Sequence, residues 1–415
     1  MTENPRLLAD VEPCPGAIKS DYEDFVVEEI PLYAASGEGT HVYFLIEKTG
    51  LSTMQAIHDI AQRLGVRRMD IGYAGLKDAR AVTRQWLSVE HIDPARITGL
   101  DVARVKVLET TRHGNKLRIG HLRGNRFEIK VRGADAARLA ALQDGLARLA
   151  RVGVPNYFGE QRFGARGDLW QVGRAMVRDD LGEALDLLLG RPGPRDRGSI
   201  RQARSVYDAG HFEDARRLWP GMFREERRAL RTLAQNGGNK KRALLSIDKH
   251  TRQFYISAYQ SHLFNRVVAA RLATGIERLL DGDLAWLHAN GAVFRVESAA
   301  TEQPRADAFE ISATGPLFGT RMTEPTGRPA EIERECLAAE ELGAEAFKAD
   351  KLKCAGGRRP LRFPVASASM RLEGDERGPY LGVRFVLPAG CYATSVLREL
   401  FIAPAAGPDE PEDDA

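Results

Sequence analysis

Residues 41–90 read HVYFLIEKTGLSTMQAIHDIAQRLGVRRMDIGYAGLKDARAVTRQWLSVE. This stretch decides the fold class. HVYFLIE (41–47) is apolar and β-prone and reads as a buried strand. TMQAIHDIAQRLGV then places Met54, Ile57, Ile60, Ala61 and Leu64 at helical spacing, with Ser52 or Thr53 to cap its start and Gly65 to end it. GYAGLKDARA breaks both periodicities and reads as a loop, and TRQWLSVE (83–90) reads as the next strand. Strand, helix, loop and strand within fifty residues point to a mixed α/β architecture.

The pattern continues outward. ARVKVLE (103–109) and NRFEIKV (125–131) alternate, the latter with Phe127, Ile129 and Val131 on one face. Residues 134–154 form an amphipathic helix with a glycine near its end. Beyond Gly153-Val154-Pro155-Asn156 the sequence turns to helices, arginines and loops: a loop at 191–199, two helices around Asn236-Gly237-Gly238-Asn239, and a long helix through TRQFYISAYQSHLFNRVVAARLATG. Strand character returns only near LGVRFVLP (381–388), followed by a short helix, TSVLRELF. There are no internal repeats. The simplest architecture is one α/β domain built from both ends of the sequence, with a helical domain inserted between them.

Composition narrows the class. The chain has 415 residues, 43% of them hydrophobic and 28% charged, which excludes disorder for its bulk. No apolar run approaches the ~18–20 residues of a membrane span. The N-terminus lacks the basic head, apolar core and cleavage site of a secretory signal. Cys14, Cys336, Cys354 and Cys391 lie far apart without zinc spacing and read as reduced thiols of a cytoplasmic protein. No metal is expected. The net charge is +3, but five acidic residues lie in the tail PDEPEDDA, leaving +8 on the rest. Residues 191–252 hold 16 Lys/Arg against 7 Asp/Glu. Such a stretch suits either a phosphate-backbone surface or a solvated set of helix faces.

The densest chemical signal is Gly72-Tyr73-Ala74-Gly75-Leu76-Lys77-Asp78-Ala79-Arg80-Ala81-Val82-Thr83-Arg84-Gln85. One carboxylate, Asp78, lies between Lys77 and Arg80, and neighbouring cations favour the ionised form that a nucleophile or base needs. The loop has neither the GxxxxGK[ST] phosphate cradle nor the GxGxxG dinucleotide fingerprint. Alone, a Lys-Asp dipeptide reads as a polar turn with a surface ion pair.

The surroundings change that reading. The loop resembles the signature of the TruD family, tRNA pseudouridine synthases acting on uridine 13. Asp24-Phe25-Val26-Val27-Glu28-Glu29, preceded by Lys19, is similar to the family's DFxVEE element. Gly124-Asn125-Arg126-Phe127 is similar to its GNxF element, and Pro155-Asn156-Tyr157-Phe158-Gly159-Glu160-Gln161-Arg162-Phe163-Gly164 to the opening of its inserted domain. Ser257-Ala258-Tyr259-Gln260-Ser261 with Leu263-Phe264-Asn265, Thr314-Gly315-Pro316-Leu317, and Arg384-Phe385-Val386-Leu387-Pro388-Ala389-Gly390 complete the set. The motifs run from about residue 19 to 400 in the family's order.

The resemblance implies a pseudouridine synthase catalytic domain with a mixed, antiparallel-rich sheet, formed by residues 1–154 and 360–402. It implies an inserted, α-rich TRUD domain at 155–359 and a substrate cleft between the two. Residues 403–415 form an acidic tail outside the resemblance, expected to be disordered. Asp78 becomes the catalytic carboxylate, and Phe25, Asn125 and Phe385 the contacts to a flipped nucleotide, two aromatic faces and one amide. Lys19, Lys77 and Arg80 are candidate supporting cations, the last two being nearer to Asp78 in sequence. Breaking the N1–C1′ bond, turning the uracil and rejoining it through C5 is an isomerisation, so no cofactor is implied. The partner is tRNA, with no membrane and no nucleotide cofactor, and the protein is taken as a monomer. A catalytically inactive tRNA-binding or RNA-folding protein on the same scaffold is the alternative. Tyr157, Phe158, Arg162 and Phe163 read either as an RNA-facing patch or as a staple between domains. Tyr255, Tyr259 and Leu263 read as a helix core stripe.

Overall fold

The computed structural model describes residues 4–349 and 352–402; the acidic tail lies outside the described residues. The protein divides into two compact units, one of Arg6–Val154 with the residues from Phe363 onward, the other of Pro155–Arg362.

The first unit is built on a sheet. Its main strands are β1 (Phe25–Pro31), β2 (His41–Thr49), β3 (Val82–Glu90), β4 (Val105–His113), β5 (Leu122–Arg132), β6 (Ala366–Asp375) and β7 (Gly378–Pro388). They lie in the order β6-β7-β5-β1-β3-β2-β4, and Gly72–Tyr73 adds a short strand beside β3. The β1–β3 pair is parallel and the other pairs are antiparallel. The sheet is therefore mixed and antiparallel-rich. β3 follows β2 through helix α1 (Thr53–Leu64) and the loop that carries Asp78. The Ser52 hydroxyl accepts from the Gln55 N–H while the Gln55 side chain accepts from the Ser52 N–H, a capping box that fixes where α1 starts. Helix α2 (Leu139–Val152) follows β5, and α3 (Ala393–Leu400) follows β7.

Both α1 and α2 pack on the same face of the sheet. Ile57, Ile60 and Leu64 of α1 cover Phe44, Ile46, Leu87 and Val89. Leu142, Leu146 and Leu149 of α2 share a second core with Phe127, Ile129, Val131 and Val383.

The second unit is α-rich and has its own core, which gathers Leu185, Tyr207, Trp219, Leu230, Leu244 and Tyr259. Its spine is the helix Lys249–Leu272, in which Tyr255, Tyr259 and Leu263 are buried as a stripe. The helices Arg224–Gln235 and Lys240–Ser246 flank the 236–239 turn as the sequence predicts.

Strand content before residue 381 corrects the sequence reading. A four-stranded sheet runs Val293–Arg295, Leu284–Leu287, Ile311–Leu317, Gly357–Pro360, and β6 precedes β7. These strands are short or rich in Gly, Pro, Ser and Ala, so propensity does not announce them. Residues 311–313 pair with 285–287, whereas residues 314–317 pair with 357–360. Pro316 thus sits where no ladder N–H is needed on the first side. Among the described residues no helix is long and apolar enough to cross a membrane.

Gly124 is fixed by a close approach. A Cβ there would lie 2.2 Å from the Leu387 carbonyl oxygen across the β5–β7 ladder. Gly124→Ala should therefore cost about 1–3 kcal/mol, as overpacking does. Urea unfolding checks this; an unchanged midpoint would show that the ladder yields at that point.

Candidate active site

Strand alternation places polar residues on the face that α1 and α2 cover. One row across the sheet reads Phe385, Phe127, Val27, Thr83 and Lys48. The next holds Leu387, Asn125 and Glu29, with Gln85 opposite Ile46 further along. Buried polar groups are costly unless paired. Most of these are paired, and their partners lie in the 74–81 loop or at the start of α1.

Lys48 is fully buried, and its Nζ donates to the Asp78 backbone carbonyl (3.0 Å) and to the Leu51 carbonyl. Burial pushes its ammonium down to about 8, against the pull of the Asp78 charge. Lys77 and Glu29 form a buried ion pair, Nζ to Oε2 2.8 Å, with side chains 4% and 1% exposed. The other Glu29 oxygen accepts the Trp86 N–H at 3.3 Å. Desolvation pushes the Glu29 carboxyl up while the Lys77 charge pulls it down; the net direction is up. The Lys77 N–H donates to Thr53 Oγ1 (2.9 Å), and that hydroxyl donates to Gln85 Oε1 (2.8 Å). Gly72 lets the loop begin, because a Cβ there would meet the Leu117 carbonyl oxygen at 2.3 Å.

The Lys77 side chain and the Asp78 carbonyl are thus tied to the sheet, while the Asp78 carboxylate stays half exposed. Lys19 Nζ lies 3.5 Å from its Oδ2, with side chains 24% and 49% exposed respectively. The same ammonium sits 4.3 Å from the Phe25 ring centroid. Lys19 has φ 56°, a left-handed conformation uncommon for a residue with a side chain. Strain of this kind clusters at functional sites.

The structure therefore brings Asp78, Lys19 and Phe25 together. It does not pair Asp78 with the two cations nearest in sequence. Lys77 turns into the sheet to meet Glu29, and Arg80 is exposed without a hydrogen bond or ion pair among the described residues. Phe25 and Phe385, read as aromatic faces for a flipped nucleotide, are each 1% exposed and belong to the core shared with α2. Phe127 links them, its ring centroid 6.1 Å from Phe25 and 5.4 Å from Phe385. Asn125 is half-buried beside Glu29 in the register, and its amide oxygen has no hydrogen-bond partner among the described residues. Lys48, Thr53, Gln85 and Glu29's pairing role escaped the sequence reading. A signal existed: Lys48 follows Val42, Phe44 and Ile46 in the inward alternation of β2, and Glu29 follows Phe25 and Val27 in β1. Among the described residues no group of three His, Cys, Asp or Glu side chains is placed to hold a metal ion.

In the α-rich unit the remaining motifs explain one another. The Asn265 side chain donates to the Phe158 carbonyl (3.0 Å) and accepts its N–H (2.8 Å). Arg162 donates to Ser261 Oγ (3.2 Å) and Ser257 Oγ (2.9 Å). Phe158 packs edge-on against Phe264 and under the Arg359 guanidinium. Tyr157 and Phe163 are buried. The 155–164 segment is thus fastened to the Lys249–Leu272 helix within its own unit, a role beside the two readings, RNA-facing patch or staple between domains, that the sequence leaves open. Of the 16 cations in 191–252, Arg191, Arg204, Arg216, Arg217, Arg228 and Lys240 are ion-paired to carboxylates.

Comparison with known proteins identifies the family. The family profile of tRNA pseudouridine synthase D (TruD) matches residues 3–400. The tRNA pseudouridine synthase D of Geobacter metallireducens is 46% identical, over 93% of this protein and 94% of its own length. That of Geobacter sulfurreducens is 45% identical over 97% of each. A crystal structure assigned as tRNA pseudouridine synthase D (TruD) of Methanosarcina mazei superposes with a TM-score of 0.86 at 26% identity, covering 96% of both proteins. Fold and comparisons define a pseudouridine synthase, an enzyme of the isomerase class. The chain belongs to the TruD family, whose members are named for isomerising uridine in tRNA.

The Lys77–Glu29 pair gives a stability test. Glu29→Gln leaves a buried ammonium without its counter-charge, which should cost roughly 3–5 kcal/mol. Removing both charges in Glu29→Gln/Lys77→Met should recover part of that loss. Urea unfolding of the two variants measures it; equal destabilisation would mean that the pair does not couple.

Proposed function

We propose that this protein converts uridine 13 of tRNA to pseudouridine, with Asp78 as the catalytic carboxylate. The observation that carries this reading is the presentation of Asp78. Its backbone is held from below by Lys48, while its carboxylate is half exposed 3.5 Å from the Lys19 ammonium. An anion held this way suits either attack at the ribose C1′ or removal of a sugar proton. In both routes the N1–C1′ bond breaks, the uracil turns, and C5 bonds to C1′. The C5 proton then leaves and N1, which bears none in uridine, gains one, so no atoms are gained or lost overall.

Lys19 supplies the positive charge beside Asp78. Asn125, with its amide oxygen free of partners, suits the N3–H edge of a uracil. Phe25 and Phe385, joined through Phe127, act in this reading as the packed floor beneath the nucleotide rather than as freestanding stacking plates. The base must leave its stack to reach Asp78. Affinity comes chiefly from phosphate contacts and weakens with salt. The cations of 191–252 outside the six ion pairs, among them Arg231, Lys241 and Arg242, are the natural source of such contacts.

The test incubates wild type, Asp78→Asn and Lys19→Met with unmodified tRNA transcript and no cofactor, then maps pseudouridine by carbodiimide-blocked primer extension. Wild type should give a single new stop at uridine 13 and Asp78→Asn none. Lys19→Met should lower kcat by about 10²-fold, the scale of losing one preorganised electrostatic contact. A stop at another uridine would keep the enzyme class and overturn the target. Salt-dependent tRNA binding with no stop from wild type would make the protein an inactive RNA-binding scaffold.

A further inference from the structure

A buried lysine is an unusual way to end an apolar strand face. Lys48 continues the inward series Val42, Phe44, Ile46 of β2, and its side chain is fully buried. Its hydrogen bonds go to two backbone carbonyls, Leu51 just before α1 and Asp78 in the loop. Among the described residues no carboxylate lies within ion-pair distance of it. The Asp78 carboxylate is the anion that acts on it at longer range. The charged and titratable groups around it are therefore few. From the loop come Asp78, which attracts, and Lys77, which repels and is neutralised by Glu29 of β1. The segment before β1 contributes Lys19, through Asp78. Arg104, before β4, donates to the Gly50 carbonyl nearby (3.4 Å). The first turn of α1 has no acidic residue, and Lys48's partner in the β3 register is Thr83, which is uncharged.

We infer that Lys48 is a positioning residue for catalysis: its buried ammonium clamps the backbone carbonyl of Asp78 to the start of α1, and so fixes where the carboxylate stands. This rests on the reading of Asp78 as the catalytic carboxylate. Lys48 itself touches neither the carboxylate oxygens nor the substrate. A charged ammonium makes stronger bonds to carbonyls than a neutral amine does. Burial brings its loss of charge to about 8, so the clamp is at full strength below that pH and slackens above it.

The experiment measures kcat and KM on a tRNA transcript from about pH 6 to about 9.5 for wild type, Lys48→Met, Lys48→Arg and Asp78→Asn, together with tRNA affinity and melting temperature. Wild-type kcat should fall as pH rises through about 8. Lys48→Met should lose roughly 10²-fold in kcat, as displacement of a reacting group by an ångström does, with tRNA affinity unchanged and the alkaline limb gone. Lys48→Arg keeps a charge that does not titrate in this range, and should retain more activity than Lys48→Met without the limb. Wild-type kcat in folded Lys48→Met, or an alkaline limb that persists in it, would overturn the inference. If neither variant folds, the wild-type profile decides, and its flatness through about pH 8 would overturn the inference. Activity in Asp78→Asn would instead overturn the reading of Asp78, which separates the two failures.

Discussion

An ammonium group taken out of water must find oxygen atoms or lose its charge, and this requirement organises the catalytic unit. Two lysines, Lys48 and Lys77, place their ammonium groups beneath one loop. Lys77 meets Glu29, and Lys48 meets the carbonyls of Leu51 and Asp78. Either bond set alone would leave the loop free to pivot. Together with the bond from the Lys77 N–H to Thr53, they fix the side group and backbone N–H of Lys77 and the backbone carbonyl of Asp78, its neighbour. The Asp78 carboxylate is held by none of these bonds and faces the Lys19 ammonium at 3.5 Å.

The anchors span different elements for a geometric reason. Parallel pairing between β1 and β3 covers Val26–Glu28 opposite Val82–Arg84. Gly72–Tyr73 takes over the same side of β3 opposite Leu87 and Ser88. In the gap the Trp86 N–H has no strand partner, and the Glu29 carboxylate accepts it. The break in pairing that admits the loop is thus closed by the same carboxylate that holds Lys77. An unmade hydrogen bond in that position would leave a half-buried donor unsatisfied, a cost of about 1–3 kcal/mol.

Much of this was legible in the sequence. The strand–helix–loop–strand order of 41–90 and the boundaries of α1 follow from periodicity and capping, because both are local. The position of Asp78 in a loop that opens with two glycines, Gly72 and Gly75, is also local. Its cation was not. Sequence distance favoured Lys77 and Arg80, but adjacent side chains leave an extended segment on opposite sides, so Lys77 points into the sheet when Asp78 points out. Lys19 reaches Asp78 from 59 positions away in sequence, through a left-handed backbone turn that no propensity announces. The burial of Phe25 and Phe385 was not legible, because the residues flanking an aromatic do not say what covers it. Here Phe127 and the α2 core do. The strands at 284–317 were missed because Leu284–Leu287 and Val293–Arg295 are too short to show a period, while Ile311–Leu317 is rich in Ser, Ala, Gly and Pro, which carry little β signal.

The contrast between the two cations near Asp78 has an energetic meaning. Opposite charges about 4 Å apart attract by about 1 kcal/mol in bulk water but by about 4 kcal/mol at an effective dielectric of about 20. Lys19 and Asp78 are partly exposed, so their attraction lies toward the weaker end, which in the proposed reading leaves the carboxylate free to react. In the proposed reading, a nucleotide covering the pair would exclude water and strengthen the same contact. Lys48 is dry already, so its hold on the loop does not depend on substrate. In that reading one cation holds the loop at all times, and the other gains strength when the site is filled. The half-exposure of Lys19 and the full burial of Lys48 are therefore complementary properties of one device.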